Sequence, residues 1–137
     1  MALSGWLVDK SALLRLERSE DDELWAERIG RGLVRVSTVT RLEMAYSARS
    51  GQDLRLIASS VTVRSLIREF LTPAIEERAL EVQALLADRG QHRAPSIADL
   101  LIAATAELRS LAVLHLDKDF ELIAEVTGQP VESLRIT

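Results

Sequence analysis

The sequence has no cysteine, which excludes a disulfide framework, a thiol nucleophile and any Cys-built zinc or iron–sulfur site. Its two histidines, His92 and His115, are too few for a histidine-built metal site, so any metal would have to be held by oxygen. No stretch is long and apolar enough to span a bilayer. The first ten residues carry no basic leader, and Asp9 cuts short the apolar run Trp6-Leu7-Val8. No signal peptide is therefore expected, and the cytoplasm is the expected location. There is no internal repeat, low-complexity tract or linker. A P-loop is absent, and Gly30-Arg31-Gly32 lacks the third glycine and the strand-to-helix context of a dinucleotide site.

What remains is a chain of 137 residues, the size of one folding unit, so a single domain over 1–137 is expected. Hydrophobic residues at 47% and charged residues at 28% are an ordinary globular balance and argue against disorder. A net charge of −4 argues against a bulk nucleic-acid binder, which would be basic. It leaves room for a nucleic-acid enzyme whose own site is acidic. The positive charge is fifteen arginines against two lysines. Arginine's planar fork suits phosphate and carboxylate, although a genome-level codon bias gives the same count.

Apolar patterning alternates between strand and helix periods along the chain. Strands are expected at Trp6–Val8, Leu33–Val36, Ile67–Leu71 and Ala112–Leu116, with a short fifth between Val131 and Ile136. Helices are expected over Ser11–Glu17, from Asp21 to about Gly30, over Thr38–Arg49 and Asp53–Ser65, from Pro73 to Gly90, and over Ile97–Leu108 and Asp119–Thr127. Proline suits the first turn of the helix it opens, and Leu54, Ile57 and Val61 form one face of theirs. Strands alternating with helices through short loops define an α/β domain with a mostly parallel sheet of four to five strands.

In such a sheet, sites form beyond the carboxyl ends of the strands. Asp9 ends the first strand and Asp117 follows the fourth. Glu43 lies early in the helix after strand two. Asp99 is the one charged residue between Ile97 and Ala106, in a helix apolar enough to be buried. A bare buried carboxylate is costly, so Asp99 must be paired, act as a cap or coordinate a cation. Capping accounts for each acid singly. Ser96-Ile97-Ala98-Asp99 and Thr40-Arg41-Leu42-Glu43 are capping-box patterns, and Asp9 and Asp117 each precede a helix. Taken together, four carboxylates from four segments at one edge repel one another and call for a cation. Hard oxygen ligands point to Mg²⁺ or Mn²⁺.

Four segments, in this order, resemble the PIN-domain ribonucleases, and within them the VapC toxins of bacterial toxin–antitoxin pairs. They are Leu7-Val8-Asp9-Lys10-Ser11-Ala12-Leu13, the segment Ser37–Glu43, the helix Ser96–Ala106, and Val113-Leu114-His115-Leu116-Asp117-Lys118-Asp119-Phe120. The resemblance covers nearly the whole chain. It implies a three-layer α/β/α sandwich and a Mg²⁺- or Mn²⁺-dependent endoribonuclease acting on structured RNA, such as transfer RNA or a ribosomal RNA loop. It implies that Asp9, Glu43, Asp99 and Asp117 are the catalytic, metal-site acids, with Asp119 as a further contributor. It also implies a cognate VapB-like antitoxin, and a homodimer is expected. The first two helices and the region Gly51–Ser65 are the expected antitoxin surface, through Leu13, Leu14, Leu16, Leu24, Trp25, Leu54 and Ile57.

Two positions depart from the family pattern, which more often has threonine at each. Lys10 either offsets charge at the cluster or faces solvent, and His115 either supports the site or is a packed histidine with one hydrogen bond. His92, in a polar loop, is read as surface. Ser11 keeps the family's hydroxyl, which could hold an acid or begin a helix. Three other functions compete with the toxin. A receiver-type phosphorylation switch needs an acceptor Asp after strand three, where this chain runs Phe70-Leu71-Thr72-Pro73. A housekeeping PIN nuclease and a non-catalytic PIN-fold interaction module remain as alternatives to the toxin.

Overall fold

The computed structural model describes residues 2–136, so Met1 and Thr137, the ends of the expected domain, lie outside the described residues. The chain runs β1 (Gly5–Val8), α1 (Lys10–Leu13), a 3₁₀ turn (Leu16–Arg18), α2 (Asp22–Gly30), β2 (Val34–Ser37), α3 (Thr38–Tyr46), α4 (Gly51–Ala58) and α5 (Val61–Ser65). It continues through β3 (Ile67–Glu69), α6 (Pro73–Asp88), α7 (Ile97–Leu108), β4 (Leu111–His115), α8 (Lys118–Thr127) and β5 (Val131–Ser133). The strands form one parallel sheet in the order β3-β2-β1-β4-β5. The chain thus builds outward from β1 to β3, then crosses back to place β4 on the other side of β1. The reversal opens a crevice between β1 and β4, the position where open α/β sheets bind ligands.

Successive strand residues face opposite sides, which splits the core in two. Leu7, Leu111 and Val113 pack with Ile75, Ala79, Val82 and Leu86 of α6, with α7, and with Phe120 and Ile123 of α8. Val8, Val36 and Leu114 pack on the other face with Ala12, Leu13, Leu16 and Trp25. β4 is buried along its whole length, as a central parallel strand must be when helices cover both faces. Gly5 allows β1 to start tightly against β2. Its φ is +145°, and a Cβ there would lie 2.2 Å from the Leu33 carbonyl oxygen. Among the described residues, no helix is long and apolar enough to cross a membrane.

Helix ends follow the capping residues. The Thr72 hydroxyl accepts the Ile75 N–H ahead of Pro73, and Gly128, at φ +74°, closes α8 in the left-handed conformation. Four expectations are corrected. The helix over Ser11–Glu17 is one α-turn followed by the 3₁₀ turn, which buries Leu13 and Leu16 on the sheet and leaves Leu14 56% exposed. The helix over Asp53–Ser65 is two, because the Ser60 hydroxyl accepts the Val63 N–H and starts α5 afresh. Leu54 and Val61, expected on one helix face, therefore belong to separate helices, and both are exposed. β3 stops at Glu69, and Phe70 and Leu71 lead exposed into the cap of α6.

Candidate metal centre

β1 and β4 are adjacent and parallel, with Val8 opposite Leu114, so Asp9 and Asp117 both emerge at the carboxyl edge. α3 brings Glu43 to the same place from its second turn, and α7 brings Asp99 from its first. The five acids singled out in the sequence, Asp9, Glu43, Asp99, Asp117 and Asp119, line one cleft of about 610 Å³. Carboxylate oxygens of Asp99, Asp117 and Asp119 lie within 4.8 Å of one another.

Capping and site formation are not alternatives here, because three of these carboxylates divide their oxygens between the two. Asp9 Oδ2 accepts the Ser11 backbone N–H at 3.0 Å and the Ser11 hydroxyl at 2.6 Å. Asp99 Oδ2 accepts the Ser96 N–H at 3.1 Å, while the Ser96 hydroxyl accepts the Asp99 N–H, completing a capping box. Asp117 Oδ1 accepts the Asp119 N–H at 3.0 Å. In each case no hydrogen bond among the described residues uses the second oxygen. Glu43 is different, and the capping box expected for it does not form. Ser37 is the N-cap of α3 and accepts the N–H of Thr40, which places Thr40 inside the helix. Glu43 Oε1 is left buried with no hydrogen-bond partner.

The electrostatics match this crowding. Burial, with the charges of Asp117 and Asp9, pushes the Asp99 carboxyl up to about 6 against the opposing Ser96 hydrogen bonds. Burial raises Glu43 as well, helped by Asp9, Asp99 and Asp117 and opposed by Lys10. Asp119 is raised by burial and by Asp117. Mutually repelling carboxylates with uncommitted oxygens, one of them buried and unpartnered, fit a hard divalent cation.

The residues around the acids hold them in place. Ser11 Oγ also accepts the Leu116 backbone N–H at 2.9 Å, tying Asp9 to the end of β4. His115 is buried, and it makes two hydrogen bonds rather than one. Its Nδ1 accepts the Asp117 N–H at 3.1 Å, so the ring proton sits on Nε2 and points to Glu121 Oε2 at 2.7 Å. Lys10 lies on the cleft rather than simply in solvent, with Nζ 3.4 Å from the Ser47 hydroxyl. His92 is exposed, as expected. Sequence reading passed over Arg15 and Arg93, which line the same cleft. The available signal was their closeness to Ser11 and to the cap Ser96. Of the expected antitoxin surface, Leu13, Leu16 and Trp25 belong to the core, whereas Leu14, Leu24 and Leu54 are exposed.

A three-layer fold with this acid cluster at its carboxyl edge defines a PIN domain, and the PIN domain family matches the chain over residues 6–126. The chain belongs to that family. It is 59% identical over 129 residues to "Ribonuclease VapC2" of Mycobacterium tuberculosis (strain CDC 1551 / Oshkosh), covering 94% of this chain and 92% of that protein. Among solved structures it is similar to VapBC2 from Rickettsia felis bound to a DNA fragment from their promoter. That likeness has a TM-score of 0.75 at 12% identity, covering 93% of this chain and 97% of that one. It is similar too to DNA-bound VapBC from Salmonella typhimurium, with a TM-score of 0.72 at 19% identity, covering 97% and 98%. At those identities the structural likenesses speak for the fold alone.

Proposed function

We propose that the protein is a divalent-metal-dependent endoribonuclease, the toxin of a VapBC-type toxin–antitoxin pair. The observation that carries the reading is the convergence of Asp9, Glu43, Asp99 and Asp117 in one cleft, each with an oxygen that no hydrogen bond among the described residues claims. The 59% identity to a protein named a ribonuclease supports the same activity for this chain. Those four acids would hold Mg²⁺ or Mn²⁺, with Asp119 contributing beside Asp99 and Asp117. When bound, such an ion supplies acidification of water near neutral pH and charge neutralisation at the phosphodiester.

The chain's own residues prepare that site. Ser11 holds one oxygen of Asp9 and thereby aims the other into the cleft. His115 fixes the backbone of Asp117 where β4 ends. Ser96 holds Asp99 at the start of α7. Asp99 is mostly ionised only above about pH 6, so the site is ready for a cation near neutrality and loses that readiness on acidification. The substrate is structured RNA, such as transfer RNA or a ribosomal RNA loop. The partner is a VapB-like antitoxin, for which Leu14, Leu24 and Leu54 are the apolar anchors available at the surface. The reading also includes a homodimer, tested by light scattering on the purified chain.

The test is cleavage of purified RNA with and without Mg²⁺ or Mn²⁺, using wild type, Asp9→Asn and Asp99→Asn, each checked for folding by circular dichroism. Metal-dependent cleavage by wild type, lost in both folded variants, is the expected result. A cap loss alone costs about 0.5–2 kcal/mol of stability and leaves chemistry intact. Variants that still cleave but melt earlier would return the acids to a purely structural role.

A further inference from the structure

The cleft is more than a cluster of acids. Three cationic side chains line it, Lys10 and Arg15 from the α1 segment and Arg93 from the loop between α6 and α7. Lys10 is engaged there, bonded to Ser47 and lowering the pKa of Glu43. Arg15 and Arg93 are not engaged with the acids. Both are exposed, and neither makes an ion pair among the described residues despite five carboxylates in the same cleft. Elsewhere Arg31, Arg35, Arg78, Arg89, Arg109 and Arg135 each find a carboxylate. The two guanidiniums nearest the densest negative charge therefore do not neutralise it.

Their placement is set by ordered backbone. Arg15 donates from Nη1 to the Ser11 carbonyl at 2.9 Å, which draws its head back over α1 toward the residue that holds Asp9. Arg93 sits three residues before the cap Ser96, in a loop pinned by Gln91 N–H to the Leu86 carbonyl and Ala94 N–H to the Gln91 carbonyl. Five carboxylates against Lys10, the one cation engaged with them, leave a formal surplus of four negative charges in the cleft. One divalent ion cancels half of that surplus and leaves no net attraction for a polyanion. Attraction must then come from groups that point outward and are not consumed by the acids.

We infer that Arg15 and Arg93 bind backbone phosphates of the RNA on either side of the scissile one, positioning the strand over the acid cluster. This rests on the nuclease reading above and adds to it the groups that grip the substrate. Guanidinium forks suit phosphate oxygens, and such contacts fix register without reading sequence.

The experiment is fluorescence anisotropy of a fluorescein-labelled stem-loop RNA whose single-stranded loop has a mixed sequence, with Ca²⁺ filling the acid site, across a salt series. Initial cleavage rates in Mn²⁺ and Mn²⁺ calorimetry are run alongside. Proteins are wild type, Arg15→Ala, Arg93→Ala, and the charge-retaining Arg15→Lys and Arg93→Lys. Each alanine variant is expected to weaken RNA binding several-fold and to reduce the slope of log affinity against log salt by about 0.7, the loss of one phosphate contact to a single strand. The effect should fall on KM more than kcat and leave Mn²⁺ affinity unchanged, and the lysine variants should keep the wild-type slope. Alanine variants with wild-type affinity and slope overturn the inference and leave the nuclease intact. A folded, Mn²⁺-binding wild type that neither binds nor cleaves RNA overturns the nuclease reading, and this inference with it.

Discussion

The Ser11 hydroxyl donates to Asp9 Oδ2 at 2.6 Å while accepting the backbone N–H of Leu116, so one side chain joins the ends of β1 and β4. Removing it leaves the Leu116 N–H without its partner and frees the Asp9 carboxylate to turn. Ser11→Ala is expected to cost about 1–3 kcal/mol in urea unfolding and to weaken Mn²⁺ binding by calorimetry. Ser11→Thr, which keeps the hydroxyl, should restore both.

Stability of the metal-free protein should depend on pH through Asp99. Its carboxyl titrates at about 6 in the folded chain against 3.8 ordinarily, so between those values the folded state binds the extra proton. The penalty is absent below the ordinary aspartate range and complete above about pH 6. Glu43 and Asp119, also raised, act in the same sense. Without metal, the melting temperature is therefore expected to fall as pH rises from 4.5 to 7 (roughly the window those shifts define), and Asp99→Asn should flatten that fall. Calorimetric melts of both proteins over that range check it.

His115 supports Asp117 through the backbone rather than through its charge. His115→Leu keeps the volume near that of the ring and deletes the acceptor for the Asp117 N–H. It is expected to cost about 1–3 kcal/mol and to lower metal affinity. Glu121→Gln should change little in either measurement, because the glutamine keeps an oxygen that accepts the Nε2 proton.

For the partner, co-expression with a VapB-like antitoxin, sought in the reading frame next to this chain's gene, should yield a complex that co-purifies and is inactive on RNA. Leu14→Glu, on an exposed side chain beside the cleft, is expected to weaken that complex without lowering the melting temperature of the free chain. Failure of the neighbour to co-purify or to suppress cleavage would favour a housekeeping PIN nuclease.

The sheet and its acids were legible because each rests on local chemistry. The apolar run Leu7-Val8 and the alternating Leu114–Leu116 each end in a carboxylate, Asp9 or Asp117, that opens a helix, and Ser96 with Asp99 spells the start of α7. What was not legible depended on competition between neighbours. Thr40 and Glu43 form a box pattern, but Ser37 reaches the Thr40 N–H first. Ser60 restarts a helix that periodicity alone would continue through Val61. Leu13 and Leu16 read like surplus surface because the segment is crowded with leucines, and the α-turn followed by a 3₁₀ turn puts these two, three residues apart, on the sheet and leaves Leu14 in solvent. Arg15 and Arg93 come from segments far apart in sequence, and the fold alone brings them to one cleft.

The division of labour within each aspartate, one oxygen for its helix and one left over, has a genetic consequence. Asparagine keeps one side-chain oxygen for the helix and replaces the other, with its charge, by an NH₂ group that cannot ligate a cation. Aspartate becomes asparagine by a single G-to-A transition. With the roles proposed for Asp9, Asp99 and Asp117, loss of activity is one step away at three separate codons, and none of those steps needs to disturb the fold. A chain silenced in this way would still accumulate, and would still occupy whatever binds its surface. Cells under pressure to escape the protein should collect such alleles at codons 9, 99 and 117 more readily than truncations, with the partner left titrated by an inert decoy.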